Sequence, residues 1–151
     1  MKLLVSVSNA DEARSAVLGG ADIIDAKDPS MGALGAVGLD AFARIRAVVD
    51  PSRRVTAALG DADGGAACAA LARGFVTRGA ALVKVGFAGV TDSGRVGEMI
   101  ARVVEACAAV DADAGVVAVA YADVSCVDSI DAMRLVPVAS SAGATGVLID
   151  T

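Results

Sequence analysis

Gly20-Ala21-Asp22-Ile23-Ile24-Asp25 returns in altered form as Gly79-Ala80-Ala81-Leu82-Val83-Lys84, and again as Gly143-Ala144 followed by Leu148-Ile149-Asp150. Each copy passes from a helix-ending glycine into a short apolar strand that terminates in a charged residue. The gap between copies leaves room for one more strand and two helices, so the chain is built from β-α units of about thirty residues. Reading outward from these copies, strands are expected at 3–7, 22–26, 55–59, 81–85, 116–120 and 146–149. Helical patterns fill 10–18, 39–49, 64–78, 94–110 and 131–142. Near-continuous apolar strands separated by helices require a parallel sheet covered by helices, so the fold class is α/β.

Local signals agree with this division. Asn9 offers a cap to the first helix, and Glu12 three residues later has capping-box spacing. Asp40 and Asp131 stand at helix starts, where a carboxylate suits the positive end of the dipole. Hydrophobic residues make up 56% of the chain and aromatics only 3%, so the core must be packed from small side chains.

Composition removes several function classes. The formal charge is −5 with acidic residues scattered, which argues against a nucleic-acid or anionic-membrane surface. Histidine is absent, which excludes a Ser-His-Asp triad and a His-ligated zinc. Cys68, Cys107 and Cys126 form no CxxC motif and read as reduced thiols of a cytoplasmic protein, with Cys126 the one candidate for a catalytic thiol. No apolar run reaches the length of a membrane span, and the first residues are too short a run for a secretion signal.

The charges at strand ends are the candidates for chemistry, because a charge there costs burial energy unless it is paired or useful. Of the 13 basic residues only Lys2, Lys27 and Lys84 are lysines, and the last two fall at strand C-terminal ends. Lysine, unlike arginine, can lose its proton and attack a carbonyl; a second ammonium nearby favours the neutral amine. Asp25 lies two residues before Lys27 and points to the same side of the sheet. Equivalent positions in the second, fourth and sixth strands would put Asp25, Lys84 and Asp150 in one layer, with Lys27 one step nearer the mouth. The alternative is a buried structural ion network in which Asp25, Asp61 or Asp150 pairs the lysines.

Tyr121, the one tyrosine, and Asp123 follow the fifth strand and suit holding a substrate oxygen or passing a proton; packing and loop capping are the alternative. Backbone N–H groups around Gly32 and Gly35, in the loop after Lys27, are candidates to cradle a phosphate. Gly60 to Gly65 lacks the spacing of a calcium loop and reads as a turn.

Taken in order, Leu3-Leu4-Val5-Ser6, the run from Gly19 to Pro29, Gly32-Ala33-Leu34-Gly35-Ala36, Lys84-Val85-Gly86, Tyr121-Ala122-Asp123 and Leu148-Ile149-Asp150-Thr151 resemble the signatures of the (5-formylfuran-3-yl)methyl phosphate synthase family. The resemblance implies a (β/α)8 TIM-type barrel of class I aldolase style. It implies a lyase with no cofactor and no metal that condenses two molecules of glyceraldehyde 3-phosphate, with loss of phosphate and water, in the biosynthesis of methanofuran-type one-carbon carriers. By position Lys27 matches the family's Schiff-base lysine and Lys84 its acid/base lysine, while Asp25, Asp123 and Asp150 match acidic positions suited to proton transfer or lysine orientation. Family chains continue past Thr151 with another lysine and two more strands, so this chain is expected to form a single, incomplete barrel domain, with a homo-oligomer possible. The competing expectations are another imine-forming aldolase, and a non-catalytic α/β binding or assembly module of flavodoxin-like shape.

Overall fold

A computed structural model describes residues 1–62, 65–122 and 127–150. Its strands are β1 (Leu4–Val7), β2 (Ile23–Ala26), β3 (Arg54–Asp61), β4 (Leu82–Gly86), β5 (Gly115–Tyr121) and β6 (Gly146–Asp150). They alternate with α1 (Ala10–Leu18), α2 (Leu39–Ala47), α3 (Ala66–Thr77), α4 (Ser93–Ala108) and α5 (Ala132–Ser141). The six strands and five helices expected from the sequence are therefore all present, with ends displaced by at most two residues among those described.

The sheet order is β1-β2-β3-β4-β5-β6 and every neighbouring pair is parallel. Strands added always in the same direction, by right-handed crossovers, put all helices on one face. A flavodoxin-like shape needs a reversal of strand order, so that alternative is corrected here. Along each strand the alternation is consistent. Val7, Ile24, Ala26, Val55, Val83, Val85 and Ala118 face the helices and are buried with Phe42, Ile45, Phe75 and Ile100. Phe42 of α2 and Phe75 of α3 meet at a centroid distance of 4.9 Å, one of few aromatic contacts so Ala-rich a core allows.

The sequence repeat has a physical cause. Gly20, Gly79 and Gly143 have φ of 90°, 88° and 84°, the left-handed region that favours glycine, at the ends of α1, α3 and α5. The next residue in each case returns its N–H to a carbonyl five residues back: Ala21 to Ala16, Ala80 to Phe75, Ala144 to Ala139. This is the Schellman closure of a helix, and it aims the chain into the following strand. At the start of α1, Asn9 accepts from the N–H groups of Asp11 and Glu12, whereas Glu12 reaches Ser8 rather than Asn9, one residue outside the usual box.

Exposed apolar side chains gather at the two sheet edges: Leu3, Leu4 and Leu18 beside β1, and Met133, Val136, Leu148 and Ile149 around β6. Among the described residues no helix is long and apolar enough to cross a membrane.

Candidate active site

The face turned away from the helices is polar where the helix-facing side is apolar. Ser6 of β1, Asp25 of β2 and Thr56 of β3 stand side by side in register. Asp25 is completely buried and accepts three bonds: from Ser6 Oγ at 3.0 Å, from Thr56 Oγ1 at 2.6 Å and from Lys84 Nζ at 2.5 Å. Two hydroxyls and one ammonium thus replace the water that a buried carboxylate would otherwise need. Lys84 is itself 7% exposed. The second amine is held more loosely: Lys27 Nζ lies 3.5 Å from Asp150 Oδ2, and both side chains keep about a quarter of their surface in solvent, 21% and 25%.

These contacts keep Asp25 and Lys84 together as expected and move Asp150 out of their layer. Asp25 pairs in register with Thr56, and Thr56 with Leu82, so Lys84 stands two residues beyond the row of Asp25. The same climb from Lys84 through Val117 and Gly146 arrives at Leu148, not Asp150. Asp150 belongs one level higher, where it meets Lys27. The ladder slants across the sheet, and equal places in a sequence repeat are not equal heights in the sheet.

Between Lys27 and Asp150 that upper level crosses β4 at Gly86. A methyl group there would strike Asp61 Oδ1 and come within 2.6 Å of both Leu34 Cδ1 and the Tyr121 hydroxyl. Tyr121, 4% exposed, is adjacent to Asp150 in the β5–β6 register and donates its hydroxyl to Asp61 Oδ1 at 2.7 Å. Asp61 also accepts the N–H of Ala88 at 2.9 Å. Its reach depends on a bulge: Ala58 pairs with Lys84, yet Asp61 rather than Gly60 pairs with Gly86, and Gly60 takes a φ of 84°. The turn expected at Gly60 is thus a bulge inside β3, which continues through Asp61.

The loop after β2 covers part of this face. Its 3₁₀ turn, Pro29–Met31, is capped by Asp28, and Leu34 is buried against Ala58, Val119 and Tyr121. The N–H groups of Gly32 and Gly35 donate within the loop, to Pro29 and Gly32. Those two donors close the turn. A Cβ at Gly35 would collide with the Asp28 carbonyl. Asp123 and Cys126 lie outside the described residues.

Beside Lys27 a cleft opens between Ser6, Ser8, Glu12 and Pro29. The backbone N–H and hydroxyl of Ser8 hold the Glu12 carboxyl below its ordinary value. A wider apolar groove lies between α4 and α5, lined by Gly97, Ala101, Pro137 and Val138. It is on the helical side, away from both lysines, and Glu98 is the one charged residue in its lining. Ser6, Thr56 and Asp61 are the partners that sequence reading missed or left as bystanders. The signal available for the first two was a lone hydroxyl inside an apolar strand.

The sequence profile described as 4-HFC-P synthase matches residues 3–151. Proteins named (5-formylfuran-3-yl)methyl phosphate synthase from Methanosarcina mazei and Methanobrevibacter smithii are each 37% identical to this chain over its whole length. The chain spans 65% and 64% of those two relatives. Among solved structures, phosphonopyruvate hydrolase in complex with oxalate and Mg²⁺ aligns with a TM-score of 0.76 at 16% identity, covering 99% of this chain and 58% of that one. A 2,3-dimethylmalate lyase of the PEP mutase/isocitrate lyase superfamily gives 0.75 at 20%, covering 98% and 57%. These two share the fold of six parallel strands with helices on one side. By sequence, along nearly all of its length, the chain belongs to the 4-HFC-P synthase family.

Proposed function

We propose that this chain forms the imine-forming part of a lyase that condenses two molecules of glyceraldehyde 3-phosphate into (5-formylfuran-3-yl)methyl phosphate. The observation that supports it is the pair of amine–carboxylate contacts, Lys84 with Asp25 and Lys27 with Asp150, at the C-terminal ends of parallel strands in a member of this family. That end of a parallel sheet is where catalytic groups gather.

The two amines divide the work by how they are held. Lys27 is loosely paired and open to the cleft, so it is the nucleophile: its neutral amine adds to the carbonyl of a triose phosphate, and loss of water leaves a protonated imine. Asp150 is placed to receive and return the protons of that exchange. The imine withdraws electrons, the adjacent carbon gives up a proton, and the resulting enamine adds to the second aldehyde. Lys84, fixed by a carboxylate that is itself fixed by two hydroxyls, is the acid/base amine: its ammonium gives a proton to a developing oxyanion or leaving oxygen, and the neutral amine takes one back. Asp25 is assigned to orienting Lys84, Tyr121 to the substrate-facing wall, Asp123 to proton transfer, and Gly32 and Gly35 to shaping the loop.

The same reading makes the sheet part of a (β/α)8 barrel. A barrel of eight strands and shear eight climbs one residue per strand, and the contacts here, two residues across β2 to β4 for Asp25 with Lys84 and four across β2 to β6 for Lys27 with Asp150, fit that slope. The apolar edges at β1 and β6 are the seams where further strands and helices would pack.

Borohydride trapping tests the proposal in the full-length enzyme. With glyceraldehyde 3-phosphate present, reduction should fix a three-carbon phosphate adduct on Lys27, and Lys27→Arg should give neither adduct nor furan. An adduct on Lys84, or furan formation with no adduct at all, would overturn it. Conversion of other aldehydes with equal efficiency would make the protein a different imine-forming aldolase.

A further inference from the structure

The bulge in β3 is unexplained by the imine chemistry. It inserts Gly60, at a φ that favours glycine, and its effect is to bring Asp61 opposite Gly86 on the concave face. Tyr121 starts on β5, leans across β4 where Gly86 has no side chain, and reaches Asp61 on β3. Three sequence features on three strands are needed for one 2.7 Å hydrogen bond: a bulge glycine, a missing side chain, and the phenol itself. The acceptor is anchored in turn by the N–H of Ala88 at 2.9 Å. Packing alone explains none of this, because Asp61 is exposed and an exposed carboxylate has water to satisfy it.

We propose that Asp61 is a positioning residue, which holds the Tyr121 phenol over Gly86 with its proton committed to the Asp61 carboxylate. A phenol has one proton to give, and here it is given to Asp61. Whatever Tyr121 offers the substrate it therefore offers as an acceptor, and the group it suits is a hydroxyl or an iminium N–H of the bound triose phosphate. The phenol oxygen sits above Gly86, two residues along the strand from Lys84, and Tyr121 pairs in register with Asp150, the partner of Lys27. This rests on the proposed function for the identity of the substrate, but the Tyr121–Asp61 contact does not.

The test uses full-length enzyme carrying 3-fluorotyrosine, with the Tyr121 resonance identified as the one missing from Tyr121→Phe. Asp61→Ala should move that resonance and lower kcat/KM about tenfold or more, the size of one lost charge-assisted hydrogen bond. Asp61→Asn, whose amide oxygen still accepts from the phenol and from Ala88, should leave the resonance near its wild-type position and restore kcat/KM to within about threefold. Tyr121→Phe with Asp61→Ala should be no worse than the poorer single variant, since both remove the same interaction. Three results would overturn the proposal: a resonance unmoved in Asp61→Ala, losses that simply multiply, or Asp61→Asn as impaired as Asp61→Ala, which would make the carboxylate a proton-transfer group. If the wild type does not consume glyceraldehyde 3-phosphate, the functional reading falls, and the fluorine resonance alone decides between a held and an unheld phenol.

Discussion

Lys27 Nζ, at the end of β2, lies 3.5 Å from Asp150 Oδ2 at the end of β6. In a flat sheet, four strand spacings of about 4.8 Å would hold these backbones about 19 Å apart, further than a lysine and an aspartate together can bridge. The contact therefore measures the curl of the sheet. The curl brings together charges that begin more than a hundred residues apart in the chain. Lys84 and Asp25 meet in the same way across a single intervening strand.

The inner pair invites a stability test that is independent of substrate. Asp25 is completely buried, so Lys84→Met leaves a carboxylate with two hydroxyl donors and no countercharge; breaking such a pair costs about 3–5 kcal/mol. Asp25→Asn combined with Lys84→Met removes both charges and should cost far less than the sum of the single changes. Denaturant melts of the four proteins check this, and additive costs would show that the two groups do not depend on each other. Lys84→Arg keeps the charge but cannot release a proton near neutral pH, so turnover in the full-length enzyme should fall by about a hundredfold or more. Near-normal turnover in that variant would reduce Lys84 to an electrostatic role.

Gly86→Ala should act at the upper level of the site. The new methyl group meets Leu34, Tyr121 and Asp61 together, and an overpacked position of this kind costs about 1–3 kcal/mol. The cheapest relief is for Tyr121 to swing out and for Leu34 to leave its pocket. The expected result is a folded protein with a lower melting temperature, a displaced Tyr121 signal and a loosened loop at 29–38. A variant with wild-type stability and an undisturbed tyrosine would show that the space above Gly86 is larger than these contacts imply.

Cys107 gives a prediction with a defined pH dependence. Burial inside α4 pushes its thiol up to about 11, which favours the neutral, unreactive form. At pH 8 the thiolate is then about one part in a thousand, so a thiol reagent should leave Cys107 unlabelled in the native protein. Labelling should rise as the pH approaches 11, or at once on unfolding in denaturant. Rapid native labelling at pH 8, located by peptide mass, would contradict the packing of α4 against the sheet.

How much of this was legible in the sequence follows from the range of each interaction. Helix ends were legible because Gly20, Gly79 and Gly143 respond to local backbone geometry, and strands because their apolar runs are buried on the helix side. Asp25, Lys27 and Lys84 stood out as charges where charges are costly. The pairing was not legible, because it depends on the slant of the ladder, which no single strand encodes. Asp61 was misread for a related reason: the bulge at Gly60 exists only relative to β4, and in sequence it resembles a turn.

The last prediction concerns what Asp150 does for Lys27. At 3.5 Å and about a quarter open to solvent, the pair is loose enough for the amine to leave its carboxylate and meet a carbonyl. Forming the imine requires the nitrogen to lose one proton on attack and the carbinolamine oxygen to gain one before it departs as water, and a carboxylate beside the nitrogen can serve both steps. Asp150→Asn in the full-length enzyme should therefore slow borohydride-trapped adduct formation by about a hundredfold while leaving the adduct on Lys27. Lys27→Arg should retain the ion pair and the melting temperature, because a guanidinium can still reach Asp150, yet form no adduct. The two variants thus separate a residue that speeds the imine from one that is the imine. Unchanged trapping in Asp150→Asn would leave that carboxylate only the task of pairing a charge, and the proton acceptor would have to be sought elsewhere on the concave face.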